Sequence, residues 1–188
     1  MNAVRVDSEI LVIAHRGASG YLPEHTLEAK AMAFALGAGA IEQDVVMTGD
    51  GSLIVLHDIH LDSVSDVAAQ FPARRRPDGR YYAIDFTLEE IRMLRARERF
   101  DPETGRPVYP GRFPAGRGAF RIPTLREEIT LIRGLEQATG REVLVYPEIK
   151  APAFHREAGM DPGKALLALL AECGYRNRDD PCIVHCFD

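Results

Sequence analysis

The chain has 188 residues, of which 46% are hydrophobic and 27% are charged, and its formal net charge is -5. This composition is typical of a globular protein with an apolar core, and the acidic balance argues against nucleic acid as a partner. No run of about 18 or more apolar residues occurs, so the sequence predicts no membrane-spanning helix.

Four short apolar runs, bounded by glycine, proline or polar residues, are predicted to form strands that are covered on both faces. In chain order they are residues 10–14, 41–46, 53–56 and 143–146. Helical patterns lie between several of them, which predicts an α/β fold with parallel strands and right-handed crossovers. The predicted helix N-caps are Thr26, Thr87, Thr124 and Asp161.

Charged side chains lie at or near the C-terminal ends of these runs, the edge at which α/β barrels carry active sites. Residues two apart on a strand point to one face, so Glu42 is expected to converge with Asp44. Glu148 and Lys150 have the same spacing near the last run. His15 and Arg16 follow the first run, and His57 follows the third.

This set of side chains is suited to cleave a phosphate ester with the help of a metal ion. The phosphorus of a phosphodiester is shielded by negative charge, so a catalyst must neutralise the oxygens, deprotonate a nucleophile and protonate the leaving alcohol. The predicted metal ligands, Glu42, Asp44 and Glu148, offer only oxygen atoms, which favours Mg2+ or Ca2+ over Zn2+.

Proton transfer and anion binding are assigned to the basic side chains. His15 and His57 are predicted to act as general acid and base, because imidazole titrates near neutral pH. Which of the two is the acid stays open. Arg16 is predicted to fork across two phosphate oxygens, and Lys150 to add a point charge.

The segments that carry these groups resemble the glycerophosphodiester phosphodiesterase family, and in particular its bacterial periplasmic branch. The resemblance rests on residues 13–20, Pro23-Glu24-His25-Thr26, Glu42-Gln43-Asp44-Val45, Leu56-His57-Asp58 and Pro147-Glu148-Ile149-Lys150. Residues 81–87 and 109–114 are similar to that branch.

The resemblance implies a (β/α)8 TIM barrel of the phospholipase-C-like phosphodiesterase type, which hydrolyses small-molecule glycerophosphodiesters to sn-glycerol 3-phosphate and an alcohol. It also implies that the glycerol 2-hydroxyl is the first nucleophile and that water opens the resulting cyclic phosphate. Because relatives of this branch are exported, a periplasmic location is expected. Residues 1–7 have no secretory-signal pattern, which leaves a cytoplasmic location open.

A (β/α)8 barrel takes about 250 residues, so this chain of 188 residues is expected to be the N-terminal part of such a domain. Residues 59–121, rich in proline, glycine and arginine, are predicted to be an insertion with one short helix that caps the barrel mouth. The basic run at residues 74–76 is predicted to be a solvated loop, with a contact to an anionic substrate as the alternative.

Residues 182–188 are predicted to form an apolar strand. Unpartnered apolar faces are expected to make the isolated chain unstable, inactive or associated as a homo-oligomer.

Several alternatives stay open at this point. A sphingomyelinase-D-like phospholipase shares the order of these groups, and a non-catalytic metal-binding fragment is a second alternative. Asp58 either orients His57 or faces solvent, and Glu24 is either a helix-entry acid or a residue that shapes the site. The residues predicted to be structural or peripheral are His25, His60, His155 and His185, and those predicted to be buried free thiols are Cys182 and Cys186.

Overall fold

The computed structural model describes residues 10–187. Residues 1–7, examined above for a secretory signal, and Asp188, the last residue of the predicted terminal strand, lie outside the described residues. Within these limits, one sheet contains the strands β1 (Ile13–Ala14), β2 (Ala40–Met47), β3 (Leu53–Val55) and β4 (Leu144–Ile149). The helices are α1 (Leu27–Ala35), α2 (Val67–Gln70), α3 (Leu88–Met93), α4 (Leu125–Thr139), α5 (Pro152–Glu157) and α6 (Pro162–Glu172). Short 3-10 turns occur at Pro72–Arg74 and Ala83–Asp85.

Strand β2 is the centre of the sheet, and all 8 of its residues are buried. β1 pairs with its first two residues and β4 with residues 40–45, both in the parallel sense. β3 pairs with residues 45–47 in the antiparallel sense. Because Ala40 and Val45 each have partners on two sides, β4 occupies one edge of β2 while β1 and β3 share the other.

Strand β3 does not have the parallel orientation that the sequence analysis predicted. Only residues 48–52 join it to β2, whereas a parallel crossover needs about a dozen residues or more. The Thr48 N–H donates to the Ser52 carbonyl at 3.0 Å, and the Ser52 N–H donates to Thr48 Oγ1 at 3.0 Å. These bonds close a hairpin, and His57 follows its second strand.

The first apolar run is much less buried than predicted. Only Ile13 and Ala14 pair with β2. The exposed fractions of Ile10 and Val12 are 74% and 60%, because the described part of the chain covers little of this segment. The prediction of a strand covered on both faces is therefore wrong for residues 10–12.

The terminal run is not a continuous strand. It forms two isolated parallel bridges to β4, between Val145 and Cys182 and between Glu148 and His185. Cys182 is half-buried and Cys186 is exposed, so the prediction that both thiols are buried is wrong. Their exposure follows from the position of the run at one edge of the sheet, where the described chain covers only one of its sides.

The helices begin as predicted. Each of the four expected N-caps accepts a hydrogen bond from the backbone N–H three residues later. Thr87 and Thr124 form complete capping boxes, in which a glutamate side chain bonds back to the N-cap N–H. These signals are local in sequence, which explains why they are readable without tertiary information.

The two faces of β2 meet two apolar clusters. Ile41 and Val45 pack with residues of α1, α4 and α6, among them Phe34, Ile129 and Leu166. Val46 packs on the opposite face with residues of β3 and of segment 59–121, among them Ile54, Leu61, Phe86 and Leu94. Since alternate residues of a strand share a face, Glu42 and Asp44 lie on the same face as Val46. Segment 59–121 therefore packs on the face of β2 that carries the two carboxylates.

Segment 59–121 contains two short helices, α2 and α3, rather than the single helix predicted. Its identity as an insertion stays a prediction. Arg74 pairs with Glu90 at 3.0 Å and Arg76 with Asp85 at 2.6 Å, so both arginines are tied within the segment. None of the helices in residues 10–187 has the length and apolar character needed to cross a membrane.

Candidate active site

The first predicted histidine and arginine lie in a tight loop that directly follows β1. Arg16 has a φ of 61° and Gly17 a φ of 80°, both in the left-handed region. A Cβ added at Gly17 would lie 3.0 Å from the backbone of Ala29, so the loop fits closely against α1. This turn directs the backbone N–H of Arg16 to Glu42, whose Oε2 accepts at 2.6 Å.

Two buried carboxylates lie on β2. The exposed fractions of Glu42 and Asp44 are 2% and 0%. Burial, together with the charge of Asp44, raises the pKa of Glu42 to about 8. Burial opposes the ionisation of Asp44 as well, but a hydrogen bond from His25 and nearby positive charges hold the pKa of Asp44 below its usual value. At neutral pH the pair therefore carries one negative charge unless a further cation joins it.

His25 bonds to this pair from the loop before α1. Its Nε2 lies 2.8 Å from Asp44 Oδ2, and its Nδ1 lies 3.3 Å from Lys30 Nζ. An ammonium group only donates, so Nδ1 is the acceptor and Nε2–H donates to Asp44. Burial and the charge of Lys30 lower the pKa of His25 to about 4, which agrees with a neutral ring. Both ring nitrogens are therefore already engaged.

Lys30 is a fully buried cation beneath β2. It donates to the backbone carbonyl of Glu42 and lies 3.0 Å from Glu128 Oε1 of α4. The side chains of Lys30 and Glu128 are both 0% exposed. A buried charge needs such partners, since leaving it unpaired costs several kcal/mol, about 3–5 in typical cases. The ion pair connects α1 to α4 directly behind the carboxylates.

The two predicted catalytic histidines lie at the edge of this cluster. His57 is 29% exposed, and its Nδ1 lies 2.7 Å from Asp58 Oδ1. Asp58 therefore bonds to His57 rather than facing only solvent. Burial and the charge of Arg16 lower the pKa of His15, which the charges of Asp44 and His57 also influence. The charge of Asp44 acts on His15, and the charge of His57 acts on Asp44, so both imidazoles lie within electrostatic range of this carboxylate.

Arg16 and Lys150, predicted to bind phosphate, flank Asp44. Arg16 Nε lies 3.6 Å from Asp44 Oδ2, and Lys150 Nζ lies 3.7 Å from Asp44 Oδ1. Lys150 also donates to Glu148 Oε1 at 2.6 Å. Burial opposes this charge, but the bond to Glu148 raises the pKa of Lys150, so the ammonium is charged at neutral pH.

Two compact groups of side chains in residues 10–187 could hold a metal ion. One contains His25, Glu42 and Asp44, and the other contains Glu42, Glu148 and His185, with ligand atoms within 4.8 Å of one another. The second group is better suited, because both nitrogens of His25 are engaged. Glu42 belongs to both groups, whereas Asp44 and Glu148, predicted to share a cation with it, belong to different ones.

Polar atoms without hydrogen-bond partners near Glu42 could serve as ligands of a divalent cation. Glu42 Oε1, Asp44 Oδ1 and both ring nitrogens of His185 are buried and have no hydrogen-bond partner among the described residues. Carboxylate oxygens are the ligands that Ca2+ and Mg2+ prefer. A cation bound here would also compensate the charge that burial disfavours on Glu42.

Comparison with known proteins identifies the family. Residues 15–188 match the glycerophosphoryl diester phosphodiesterase family model. The chain belongs to this family. A glycerophosphodiester phosphodiesterase from Haemophilus influenzae is 50% identical over 100% of this chain and 52% of its own length.

Solved structures agree with the family assignment. A putative glycerophosphoryl diester phosphodiesterase from Silicibacter pomeroyi superposes with a TM-score of 0.67 and 30% identity, over 95% of this chain and 58% of that one. A phosphodiesterase from Oleispira antarctica, solved with the product sn-glycerol-3-phosphate, has a TM-score of 0.64, 24% identity, and coverage of 95% and 58%. These neighbours confirm the predicted fold class, part of a barrel. This chain spans about half the length of the relatives that it matches.

The structure brings to the candidate site five side chains that the sequence analysis did not assign to it: His25, Lys30, Arg99, Glu128 and His185. Both of these histidines, expected to be structural or peripheral, lie beside the carboxylates: His25 bonds Asp44, which agrees with a structural role, and His185 Nδ1 lies 3.9 Å from Glu148 Oε2. Because His25 belongs to the family motif Pro23-Glu24-His25-Thr26, the sequence could have indicated its place near the site. The others come together only through tertiary contacts.

Proposed function

We propose that this chain hydrolyses glycerophosphodiesters to sn-glycerol 3-phosphate and an alcohol, with a divalent cation as cofactor. The observation that carries the proposal is the convergence of Glu42 and Asp44 with Arg16, Lys150 and Glu148 around one buried position. Family membership and the 50% identical glycerophosphodiester phosphodiesterase support the same reaction. They also favour it over the sphingomyelinase-D-like alternative.

Arg16 and Lys150 bind the phosphate group in this proposal. Both are positively charged and adjoin Asp44, so an anionic substrate meets two cations at the same place. Glu42 and Glu148, from the better suited group, would hold the cation, Ca2+ or Mg2+. Asp44 would be the third oxygen ligand, since its Oδ1 has no hydrogen-bond partner among the described residues and lies beside the same Lys150 ammonium as Glu148. When bound, the cation supplies Lewis-acid charge to a phosphate oxygen.

His15 and His57 transfer the protons. One takes the proton of the glycerol 2-hydroxyl as that oxygen bonds to phosphorus, and the other gives a proton to the departing alcohol oxygen. Water then opens the cyclic phosphate. Asp58 holds Nδ1 of His57 by the 2.7 Å hydrogen bond, which leaves Nε2 for proton exchange.

The location and assembly of the protein stay predictions. The resemblance to the exported branch supports a periplasmic location. The exposed apolar residues Ile10, Val12 and Phe187 support self-association of the chain.

The deciding experiment measures glycerol 3-phosphate released from glycerophosphocholine by the 188-residue chain with Ca2+, with Mg2+ and with EDTA. Glu42→Gln is compared with Glu89→Gln, which alters an exposed glutamate of α3. We expect cation-dependent release that Glu42→Gln abolishes and Glu89→Gln leaves unchanged. Cation binding by a folded chain without release would instead support the metal-binding fragment. Release that is equal with Ca2+, Mg2+ and EDTA would contradict the role of the cation.

A further inference from the structure

Arg99, from segment 59–121, lies between the two loops that carry the candidate catalytic residues. Its Nη1 donates to Asp58 Oδ2 at 2.6 Å and to Ser63 Oγ at 3.1 Å. Its Nη2 donates to Glu24 Oε1 at 2.6 Å, and its Nε lies 3.3 Å from Glu24 Oε2. The guanidinium thus forms a fork with one carboxylate and a separate short bond with the other.

Each of these carboxylates also contacts a candidate catalytic or substrate-binding group. Asp58 Oδ1 bonds His57 Nδ1 at 2.7 Å. Both oxygens of Glu24 lie 3.3 Å from Arg16 Nη1. A single carboxylate therefore connects Arg99 to His57, and another connects it to Arg16, although Arg99 comes from a different part of the chain.

The two oxygens of Asp58 have different partners, which restrains the carboxylate. Oδ2 bonds Arg99 and Oδ1 bonds His57, so rotation of the carboxylate towards solvent would break a charge-assisted hydrogen bond. Asp58 is 31% exposed and His57 is 29% exposed, so burial alone does not hold either side chain. Arg99, at 15% exposed, is more buried than either Asp58 or His57.

We propose that Arg99 is a positioning residue of this site, which orients His57 through Asp58 and Arg16 through Glu24. The role rests on the proposed function, because it concerns the geometry of the groups assigned to proton transfer and phosphate binding. In this arrangement the Nδ1–H of His57 donates to Asp58, and Nε2 keeps its lone pair for the substrate. Segment 59–121 thereby contributes to the active site without contacting the reacting atoms.

The first test follows the His57 ring by 15N NMR in the full chain, without substrate and above neutral pH. The parent chain should show Nδ1 protonated, Nε2 unprotonated and a slowly exchanging Nδ1–H. In Arg99→Met, exchange of this proton should be at least about tenfold faster, as expected when a charge-assisted hydrogen bond is weakened. An unchanged His57 signature in a folded Arg99→Met chain would overturn the proposal.

Two further variants show whether the effect on His57 comes from the hydrogen-bond geometry of Arg99, from its positive charge, or from a general loss of stability in the segment. Arg99→Lys keeps the positive charge but cannot bond Glu24 in a fork and Asp58 at the same time, so its His57 signature should resemble that of Arg99→Met. Full recovery in Arg99→Lys would reduce the role of Arg99 to its charge and would contradict positioning by the fork. The matched control is Arg97→Met, which removes a looser pair, Arg97 Nη2 with Asp66 Oδ2 at 3.9 Å, and should leave His57 unchanged.

Arg99→Met leaves Glu24 buried with a weaker partner, so this variant is prone to unfold. The double variant Arg99→Met/Glu24→Gln removes the unpaired charge and keeps Asp58 and His57. It should fold and still show fast exchange at His57. A slow Nδ1–H in the folded double variant would overturn the proposal.

Turnover provides the second readout. In Arg99→Met, kcat for glycerophosphocholine should fall at least about tenfold, a part of the hundredfold or more that general acid-base catalysis contributes. Arg97→Met should keep the parent kcat, and a parent-like kcat in Arg99→Met would contradict the proposal. Absence of turnover in the parent chain would reject the diesterase activity proposed for this 188-residue chain, whereas the His57 spectrum would still decide whether Arg99 orients the ring.

Discussion

At the level of single residues, burial and neighbouring groups determine which side chains of the site are protonated. Asp44 is ionised because His25 donates to it and cations flank it, whereas Glu42, two residues away on the same strand, binds its proton more tightly. The same burial keeps His25 neutral. Two neighbouring carboxyl groups thus have pKa values shifted in opposite directions, a pattern that is common at functional sites.

The histidines next to this cluster are the most direct targets for substitution. We expect His15→Ala or His57→Ala to lower kcat for glycerophosphocholine by at least about a hundredfold, because each removes one partner in proton transfer. His60→Ala is the control, since His60 packs edge-on against Tyr82 in segment 59–121, with ring centroids 4.4 Å apart. Near-normal turnover in both His15→Ala and His57→Ala would end the assignment of these residues.

At the level of elements, signals that are local in sequence predicted the structure well. The N-caps at Thr26 and Thr124 depend on residues three positions away, and both form as expected. The spacing of Glu42 and Asp44 placed them on one face of β2 for the same reason. The orientation of β3 required counting the residues of its connection, and the apolar pattern alone favoured the wrong, parallel arrangement.

Contacts between distant elements were not predictable from such signals. Lys30 lies among apolar residues of α1, and Glu128 follows the capping box of α4, so neither has a local pattern that marks an ion pair. His25 reaches Asp44 through a backbone with φ of 61°, a conformation that the sequence does not specify. These positions depend on how α1 and α4 pack together on the sheet.

Removing one partner of the ion pair between α1 and α4 should destabilise the protein strongly, because the other charge is left buried without a partner. Lys30→Met leaves Glu128 buried without its cation, and we expect a loss of about 3–5 kcal/mol in the free energy of unfolding, measured with urea. Lys30→Met/Glu128→Leu should recover most of this loss, because no unpaired charge remains.

The control for this pair lies on the same helix. Arg126 of α4 pairs with Glu172 of α6, and their side chains are 53% and 61% exposed. Arg126→Met should therefore cost at most about 1 kcal/mol. Equal losses for Lys30→Met and Arg126→Met would show that burial of the Lys30 pair does not determine its contribution.

At the level of the whole molecule, the site links folding to pH and to cation binding. Glu42 has a pKa of about 8 in the folded chain against a reference value of 4.5, so the folded state binds its proton more tightly than the unfolded state. The stability contributed by this proton is complete below pH 4.5 and is lost as the pH rises through about 8. His25 acts in the opposite sense, but only below its reference pKa of 6.5.

From pH 6.5 to about 8 the proton of Glu42 changes the stability while that of His25 does not, and comparison with Glu42→Gln separates Glu42 from other carboxyl groups whose pKa burial raises, such as Glu128. In EDTA, the free energy of unfolding of the parent chain should fall with rising pH across this interval, and Glu42→Gln should remove that slope. Saturating Ca2+ should raise the free energy of unfolding and abolish the slope, because the cation binds the deprotonated carboxylate and Glu42 is then deprotonated in both the folded and the unfolded state. Urea unfolding at several pH values measures all three slopes. Identical slopes for the parent chain and Glu42→Gln in EDTA would show that Glu42 does not hold this proton.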